Sequence, residues 1–168
     1  SGRLFAADTS GMLLREFRSS YKGKVEEQIE IAAYMEAEQL KNEDISSIKT
    51  AADYDGKAFQ NVSRIMTESF PTDIEFYQNI YCNILVLDEQ KEAYAVVYLD
   101  QSILNYFPLD EVETEEVQQV YETGKAVWNK GKDDIAGTYT YIKVPVKNAS
   151  GEVTGVVAVG TELIVLDQ

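Results

Sequence analysis

Two tyrosines and a lysine alternate along a predicted strand in the last third of the chain. Because side chains alternate between the two faces of a strand, Tyr139, Tyr141 and Lys143 share one face. The other face carries Ile142 and Val144 and is a candidate for the core. An ammonium group beside phenol hydroxyls supplies the donors that bind an organic anion. The first face is therefore a candidate carboxylate-binding site; the alternative is that Lys143 is solvated and discourages aggregation of the strand.

An earlier predicted strand brings a second set of polar side chains. Tyr94, Tyr98 and Asp100 fall on one of its faces. Hydroxyl groups mixed with apolar surface are typical of small-molecule sites. A carboxylate at Asp100 near Lys143 favours a zwitterion such as an amino acid. Two alternatives stay open: a half-exposed tyrosine face and, for Asp100, the N-cap of a helical turn over residues 102–106.

Trp128 is the only tryptophan of the chain and the next candidate. It closes a predicted helix over residues 114–129, whose first part is rich in acidic residues. From that position its ring would cap the site. The alternative is ordinary packing in the core.

The composition excludes several classes of chemistry. The chain has no histidine and one cysteine, so it cannot form a Ser-His-Asp triad, a histidine-ligated metal site, an internal disulfide or an Fe–S cluster. Its 15 Lys and Arg against 29 Asp and Glu give a formal net charge of −14, whereas phosphate contacts need a basic surface. The acidic runs lack the glycine-punctuated spacing of a calcium loop. We therefore predict no enzyme, no metal, no cofactor and no nucleic-acid partner.

Helical periodicity dominates the first 70 residues. Apolar residues recur every three or four positions over residues 10–42 and again over residues 45–69, which predicts two helices. A helix over residues 10–42 is about 50 Å long, whereas a domain of this size is about 40 Å across. One end should therefore project, and its apolar stripe predicts a weak side-by-side homodimer. That stripe consists of Leu14, Phe17, Tyr21 and Val25.

Strand patterns follow the helices. Residues 81–88 and 93–100 form one predicted hairpin, and residues 137–146 and 153–163 form another. Gly151 supplies the positive φ that the second turn needs. Together with the helices this order predicts an α+β fold, an antiparallel sheet of about five strands with the long helix packed on one face.

The length of 168 residues suits one domain. We assign residues 10–168 to it and treat residues 1–9 as a possible non-native or disordered lead. No uninterrupted apolar run approaches the roughly 20 residues that a membrane-spanning helix needs.

The closing hairpin and the element order resemble the extracytoplasmic PAS-like sensor modules called Cache domains. The resemblance covers about residues 10–166 in element order, and similarity at the level of sequence is confined to the last hairpin and the end of one strand. The segments that carry it are Tyr141-Ile142-Lys143-Val144-Pro145-Val146, the turn with Gly151, Val153-Thr154-Gly155-Val156-Val157-Ala158-Val159 and Leu85-Val86-Leu87-Asp88.

This resemblance implies a single sensor module of a bacterial transmembrane receptor, which is a chemoreceptor, a sensor kinase or a cyclic-dinucleotide enzyme. It implies a PAS-like five-stranded sheet, a small organic acid or amino acid bound on the sheet face away from the long helix, and membrane segments outside this chain. Related sensors place a basic residue near Arg64, which makes Arg64 a candidate for the rim; a surface position is the alternative. Two other functions stay open: a cytoplasmic PAS-type domain and a constitutive dimerisation or interaction module without a small ligand.

Overall fold

The computed structural model describes residues 22–49, 51–70, 80–100, 107–133 and 137–162. These residues form three α-helices and one antiparallel sheet. Helix α1 covers residues 22–39, α2 is Lys57–Ser69 and α3 is Glu111–Thr123. The strands are β1 Ile80–Leu87, β2 Ala93–Tyr98, β3 Phe107–Pro108, β4 Val127–Asp133, β5 Gly137–Lys147 and β6 Val153–Glu162.

The sheet has the spatial order β3-β2-β1-β6-β5-β4, so the first and last long strands lie together at its centre. Every neighbouring pair is antiparallel. The two predicted hairpins are confirmed as β1–β2 and β5–β6, and the second turn contains Gly151 with φ of 81°. The predicted α+β fold is confirmed: five long strands are joined by the two-residue β3 at one edge.

One face of the sheet carries the main apolar core. Helices α1 and α2 pack there, and the face is closed to water by aliphatic side chains. Fully buried members of this core include Val25 and Ile29 of α1, Val62 and Met66 of α2, and Ile142 and Val144 of β5. The long first helix is thus confirmed over residues 22–39. Residues 40–42 form a turn instead of the predicted helix, and residues 10–21, including Leu14, Phe17 and Tyr21, lie outside the described part.

The predicted helix over residues 45–69 is wrong in its first half. Two short 3₁₀ helices, Ile45–Ser47 and Ala51–Asp53, replace the expected turns, and α2 begins only at Lys57. Asp55 has a φ of 63°, a left-handed conformation that an α-helix cannot contain. The backbone therefore turns at Asp55 before α2 starts.

The predicted helix over residues 114–129 is also wrong at both ends. Helix α3 starts three residues earlier, because the Asp110 side chain accepts a hydrogen bond of 2.8 Å from the backbone N–H of Glu113. Gly124 ends the helix in the left-handed conformation with φ of 65°. Residues beyond it form strand β4, so Trp128 lies on a strand and not on a helix.

Helix α3 packs on the sheet face opposite to α1 and α2. A smaller apolar cluster holds it there, and its members are Leu85, Ala93, Ala95, Val117, Val120, Val156 and Ala158. This cluster covers only part of the face. The remainder, beyond the N-terminal half of α3, is where the polar side chains of β1, β5 and β6 collect.

Candidate ligand-binding site

A cavity of about 880 Å³ lies between the start of α3 and the uncovered part of this sheet face. Ends of β1, β2, β4, β5 and β6 supply its floor and walls. Its described lining consists of Ile80, Tyr81, Asn83, Tyr98, Leu99, Asp100, Asp110, Val112, Glu113, Asn129, Tyr139, Tyr141, Thr161 and Glu162.

Tyrosine rings form the floor of the cavity because two glycines leave room for them. Tyr81 and Tyr141 both lie against Gly160 of β6, where a Cβ atom would collide with them. The Tyr139 hydroxyl lies 2.5 Å from the position that a Cβ on Gly131 would take. The rings of Tyr139 and Tyr141 are parallel within 11°, with centroids 6.0 Å apart. The floor is therefore a continuous aromatic surface with hydroxyl groups at its edge.

Lys143 lies beneath this floor and is fully buried. Its Nζ donates hydrogen bonds to Glu113 Oε1 at 3.2 Å and to Glu116 Oε1 at 3.1 Å. The same Nζ lies 4.0 Å from the centroid of the Tyr141 ring. A buried ammonium requires such pairing, since an unpaired charge in the interior is costly. Lys143 is therefore occupied by protein partners and is not among the residues that line the cavity.

Glu116 is the centre of the network around Lys143. Besides the ammonium, its Oε1 accepts a hydrogen bond from the Tyr141 hydroxyl at 2.9 Å, and its Oε2 accepts one from Asn129 Nδ2 at 3.1 Å. Both carboxylate oxygens are thus satisfied by groups from β4 and β5. The network ties α3 to the sheet and fixes the Tyr141 ring at the cavity floor.

The hydroxyls of Tyr81, Tyr98 and Tyr141 have raised pKa values. Burial raises the pKa of Tyr81 well above its usual range, and the charges of Glu113 and Glu116 raise it further. Burial also raises the pKa of Tyr141, to which the hydrogen bond to Glu116 adds. The pKa of Tyr98 is raised by burial and by the Glu113 charge. These groups are neutral donors and acceptors at any physiological pH.

The cavity wall is rich in acidic residues. Asp100, Asp110, Glu113 and Glu162 contribute carboxylates, and the described lining includes no basic residue. Asp110 also caps α3, so its position is fixed by the helix. The wall therefore offers acceptors and negative charge, in contrast to the carboxylate site expected from the sequence.

Four of the predicted site residues lie at the cavity. Tyr98, Tyr139 and Tyr141 line it, and so does Asp100. Residues 101–106, to which the alternative N-cap role of Asp100 referred, lie outside the described part. Lys143 is adjacent but engaged with α3.

Three predicted site residues lie elsewhere. Tyr94 packs against the α1-side core, because the register shift between Ile84 and Leu85 of β1 leaves an extra residue in β2 and breaks the alternation assumed from the sequence. Trp128 packs against the same core. Arg64 is exposed on α2 with its guanidinium 3.4 Å from Glu68.

Lys130 contacts Trp128 on the sheet face away from the cavity. Its Nζ lies 4.8 Å from the centroid of the Trp128 ring and 3.0 Å from Glu26 of α1. The ion pair between Lys130 and Glu26 thus joins the edge strand β4 to α1 on this side. Asn129, between Trp128 and Lys130, points to the cavity.

Sequence reasoning missed several lining residues. Tyr81 and Asn83 flank the buried Cys82 in β1, and a polar residue on each side of a buried one is the alternation typical of a strand with one wet face. Glu113 and Asn129 had no such signal, since their place depends on how α3 lies across the sheet. No group of His, Cys, Asp or Glu in the described residues is arranged to hold a metal ion.

The sequence matches no protein-family model and no curated protein. Among solved structures, the chain is similar to an extracellular ligand-binding receptor from Desulfohalobium retbaense, with a TM-score of 0.56 and 18% identity over 90% of this chain. It is also similar to the ligand-binding domain of the Campylobacter jejuni chemoreceptor Tlp3. The Tlp3 complex with L-valine has a TM-score of 0.54 and the one with isoleucine 0.55, each at 13% identity over 89% of this chain.

The match spans 25% of the Desulfohalobium chain and 57% and 56% of the two Tlp3 chains. At this level of identity the similarity concerns the fold. The predicted α+β fold is thus one that this chain shares with these extracellular ligand-binding and sensory domains. No helix among the described residues is long and apolar enough to cross a bilayer.

Proposed function

We propose that this chain is the ligand-binding sensor domain of a bacterial signalling receptor and lies on the extracytoplasmic side of the cell membrane. The observation that carries the proposal is the cavity of about 880 Å³ with its tyrosine floor. Its volume falls within the roughly 300–1,000 Å³ of small-molecule sites. The fold shared with extracellular sensory domains supports the same role. The role is binding rather than catalysis.

The proposed ligand is a small amine-bearing molecule such as an amino acid. Carboxylates at Asp100 and Glu162 suit an ammonium group, and the hydroxyl of Tyr139 and the amide of Asn83 suit a polar tail. The Tlp3 domain binds valine and isoleucine, which agrees with a ligand of this size. A simple organic acid has less support here, because Lys143 is already paired with two glutamates.

A ligand in this cavity would act on α3 and on the sheet together. Glu113 lines the cavity and also bonds Lys143, so a ligand at Glu113 changes the network that joins α3 to β5. We propose that the signal passes through the terminal helices of the domain. It would reach membrane segments and an output domain that lie outside this chain. The competing role is a constitutive interaction module whose cavity binds no ligand.

A thermal-shift screen of amino acids, amines and organic acids, followed by calorimetric titration of the best compound, tests the proposal. Val112 is exposed on the first turn of α3 and lines the cavity, so Val112→Trp should obstruct binding without disturbing the core. Gln119→Trp, an exposed position on the same helix outside the lining, is the matched control. A screen without any hit, or full affinity in Val112→Trp, would count against a sensor role.

We also propose a weak side-by-side homodimer through α1. Val25 of the predicted stripe belongs to the core, but α1 exposes a second apolar set at helical spacing. That set is Ile31, Tyr34 and Met35, each about half exposed. Sedimentation over a range of concentrations should show reversible association that Met35→Glu weakens; a monomer at all concentrations would contradict it.

A further inference from the structure

The charge of the cavity follows from the charged residues that the described part of the chain places in and beneath its lining. Lys143 is buried with Glu113 and Glu116, and these three groups together carry a net charge of −1. The lining adds the carboxylates of Asp100, Asp110 and Glu162, and the described lining contains no Lys or Arg. The whole chain, at −14, adds a field of the same sign.

The sequence flanking the lining residues reinforces this balance. Residues 71–79, 101–106, 134–136 and 163–168 adjoin the lining strands along the chain, and none of these stretches contains Lys or Arg. These stretches therefore supply no basic side chain that could pair with an anionic ligand. Among the described lining residues, a carboxylate ligand would therefore meet hydroxyl and amide groups together with four carboxylates and no Lys or Arg.

The floor of the cavity supplies an attraction that is independent of the carboxylates. The faces of aromatic rings carry negative potential, and ammonium groups bind over them within about 6 Å of the ring centroid. Tyr81, Tyr139 and Tyr141 collect at the floor, two of them in parallel. Lys143 already uses the Tyr141 ring in this way, at 4.0 Å from its centroid. Aromatic surface and carboxylates at one cavity are the two elements with which proteins recognise alkylammonium ions.

We propose that this cavity selects organic cations, namely alkylammonium compounds with one or more amino groups and no requirement for a carboxylate. The proposal rests on the proposed function that the cavity binds a small ligand. It reverses the charge preference expected from Lys143 in the sequence. Ammonium groups would sit over the tyrosine floor and donate to Asp100, Glu113 or Glu162.

A pair of compounds with the same four-carbon length and opposite charge tests this selectivity. Titration calorimetry of the domain with 1,4-diaminobutane, succinate and L-valine should give the tightest binding for the diamine and no measurable binding for succinate. Because the attraction is between charges near the surface, binding of the diamine should weaken as sodium chloride is raised from 20 to 200 mM, values chosen to shorten the screening length by roughly threefold.

Charge-neutralising variants locate the effect. The double variant Asp100→Asn/Glu162→Gln keeps size and removes two charges, and it should weaken diamine binding at least about tenfold. Glu115→Gln removes one charge from an exposed position of α3 that does not line the cavity, and it should leave affinity within about twofold. Circular dichroism melts of each variant show whether the fold is retained.

The outcomes separate this inference from the function on which it rests. Tighter binding of succinate or L-valine than of the diamine overturns cation selectivity and leaves ligand binding in place. Equal loss of affinity in the double variant and in Glu115→Gln overturns the role of the lining carboxylates. If no compound of the three classes binds in the full screen, the sensor role and the cation selectivity both fall.

Discussion

The two faces of the sheet are built on different principles, although the same strands supply both. On β5, Ile142 and Val144 point to α1 and α2 and are fully buried among aliphatic side chains. Their neighbours Tyr141 and Lys143 point to α3, where the contacts are hydrogen bonds and ion pairs. One face excludes water, and the other holds charge, aromatic surface and a cavity.

This division separates stability from recognition. Aliphatic packing is non-directional and tolerates little change in volume. A network such as Glu116 with Lys143 and Tyr141 is directional, and it places particular atoms at the cavity floor. Variants on the first face should therefore change folding alone, whereas variants on the second face should change binding, and folding only where a buried charge loses its partner.

The largest effect should come from removing Glu116. In Glu116→Leu, the buried Lys143 keeps only the partly exposed Glu113, and Tyr141 and Asn129 lose their acceptor. Breaking a buried ion pair on one side costs about 3–5 kcal/mol. Unfolding in urea should show this loss, and thermal melts should show a decrease in Tm of about 10 °C.

Two further variants test that interpretation. Glu115→Leu, an exposed position on the same helix, should change stability by less than about 1 kcal/mol. Adding Lys143→Met to Glu116→Leu should restore part of the lost stability, since the unpaired ammonium is then absent. If Lys143→Met costs the same in both backgrounds, the pair is not coupled and the network does not hold α3.

Ile142→Ala is the matching change on the apolar face. It removes a fully buried side chain from the core beneath α1 and should cost about 2–5 kcal/mol. Its effect on ligand affinity, measured well below the lowered Tm, should be within experimental error. A change in affinity comparable to that of a cavity variant would show that the two faces are not independent.

The sequence predicted the face assignment of β5 correctly and that of β2 incorrectly, for a physical reason. Strict alternation holds from Tyr139 to Val144 because β5 pairs with β6 without a shift over that stretch. In β2 the pairing with β1 shifts at Leu85, so Tyr94 faces α1 while Tyr98 faces the cavity. A bulge depends on the partner strand, and a single-strand pattern does not record it.

The role of Lys143 was likewise beyond the sequence. Its face of β5 followed from the pattern, but its burial did not, and its partners are 27 and 30 residues away on α3. Helix α3 was expected to extend through Trp128, and Gly124 instead ends it and allows β4 to form. Because α3 is short and crosses this face of the sheet, its glutamates reach Lys143. The lysine expected to bind an anionic ligand is therefore paired with Glu113 and Glu116.

Glu36 is the exception on the apolar face and should have a smaller effect that depends on pH. It is buried on α1, and burial raises its pKa from 4.5 to about 7 despite the hydrogen bond from Ser69. The Ser69 Oγ lies 3.0 and 2.9 Å from the two carboxylate oxygens and 2.5 Å from the Ile65 carbonyl. A hydroxyl has only one proton and can donate to only one of these acceptors. A protonated Glu36 supplies a second proton, so that it can donate to Ser69 Oγ while Ser69 donates to the Ile65 carbonyl. Burial raises the pKa of the Cys82 thiol, and the charge of Glu36 raises it further.

The sign of the pH dependence follows from the raised pKa. The folded state holds the Glu36 proton between pH 4.5 and about 7 while the unfolded chain releases it. The contribution of this group is therefore fully present below about pH 4.5, is lost as the pH rises to about 7 and is constant above. Glu36→Gln should stabilise the protein at pH 8 by about 1–3 kcal/mol and have little effect at pH 4.5. Urea unfolding at both pH values, with the exposed Glu38→Gln as control, measures it; equal effects of the two variants at pH 8 would contradict a buried acid.

The smallest change in stability should come from Gly131→Ala, and comparison with Gly155→Ala tests the two faces directly. A Cβ on Gly131 would lie 2.5 Å from the hydroxyl oxygen of Tyr139, whereas a Cβ on Gly155 would lie 2.8 Å from Cγ2 of the buried Ile45. The Tyr139 ring is only partly buried and can turn aside, so Gly131→Ala should cost less than about 1 kcal/mol. Ile45 is enclosed by the core, so Gly155→Ala should cost about 1–3 kcal/mol through overpacking.

The two glycine variants should affect ligand affinity in the opposite order: Gly131→Ala should weaken binding more than Gly155→Ala, although it costs less stability. In Gly131→Ala the displaced Tyr139 ring no longer stacks on Tyr141, and an aromatic pair of this kind is worth about 0.5–1.5 kcal/mol. Binding of the best compound from the screen should therefore weaken about twofold to tenfold, while Gly155→Ala leaves it unchanged because that position faces α1-side core residues. Parallel melts and titrations of both variants decide the matter, since a common ranking in stability and affinity would mean that the cavity floor and the core respond as one body.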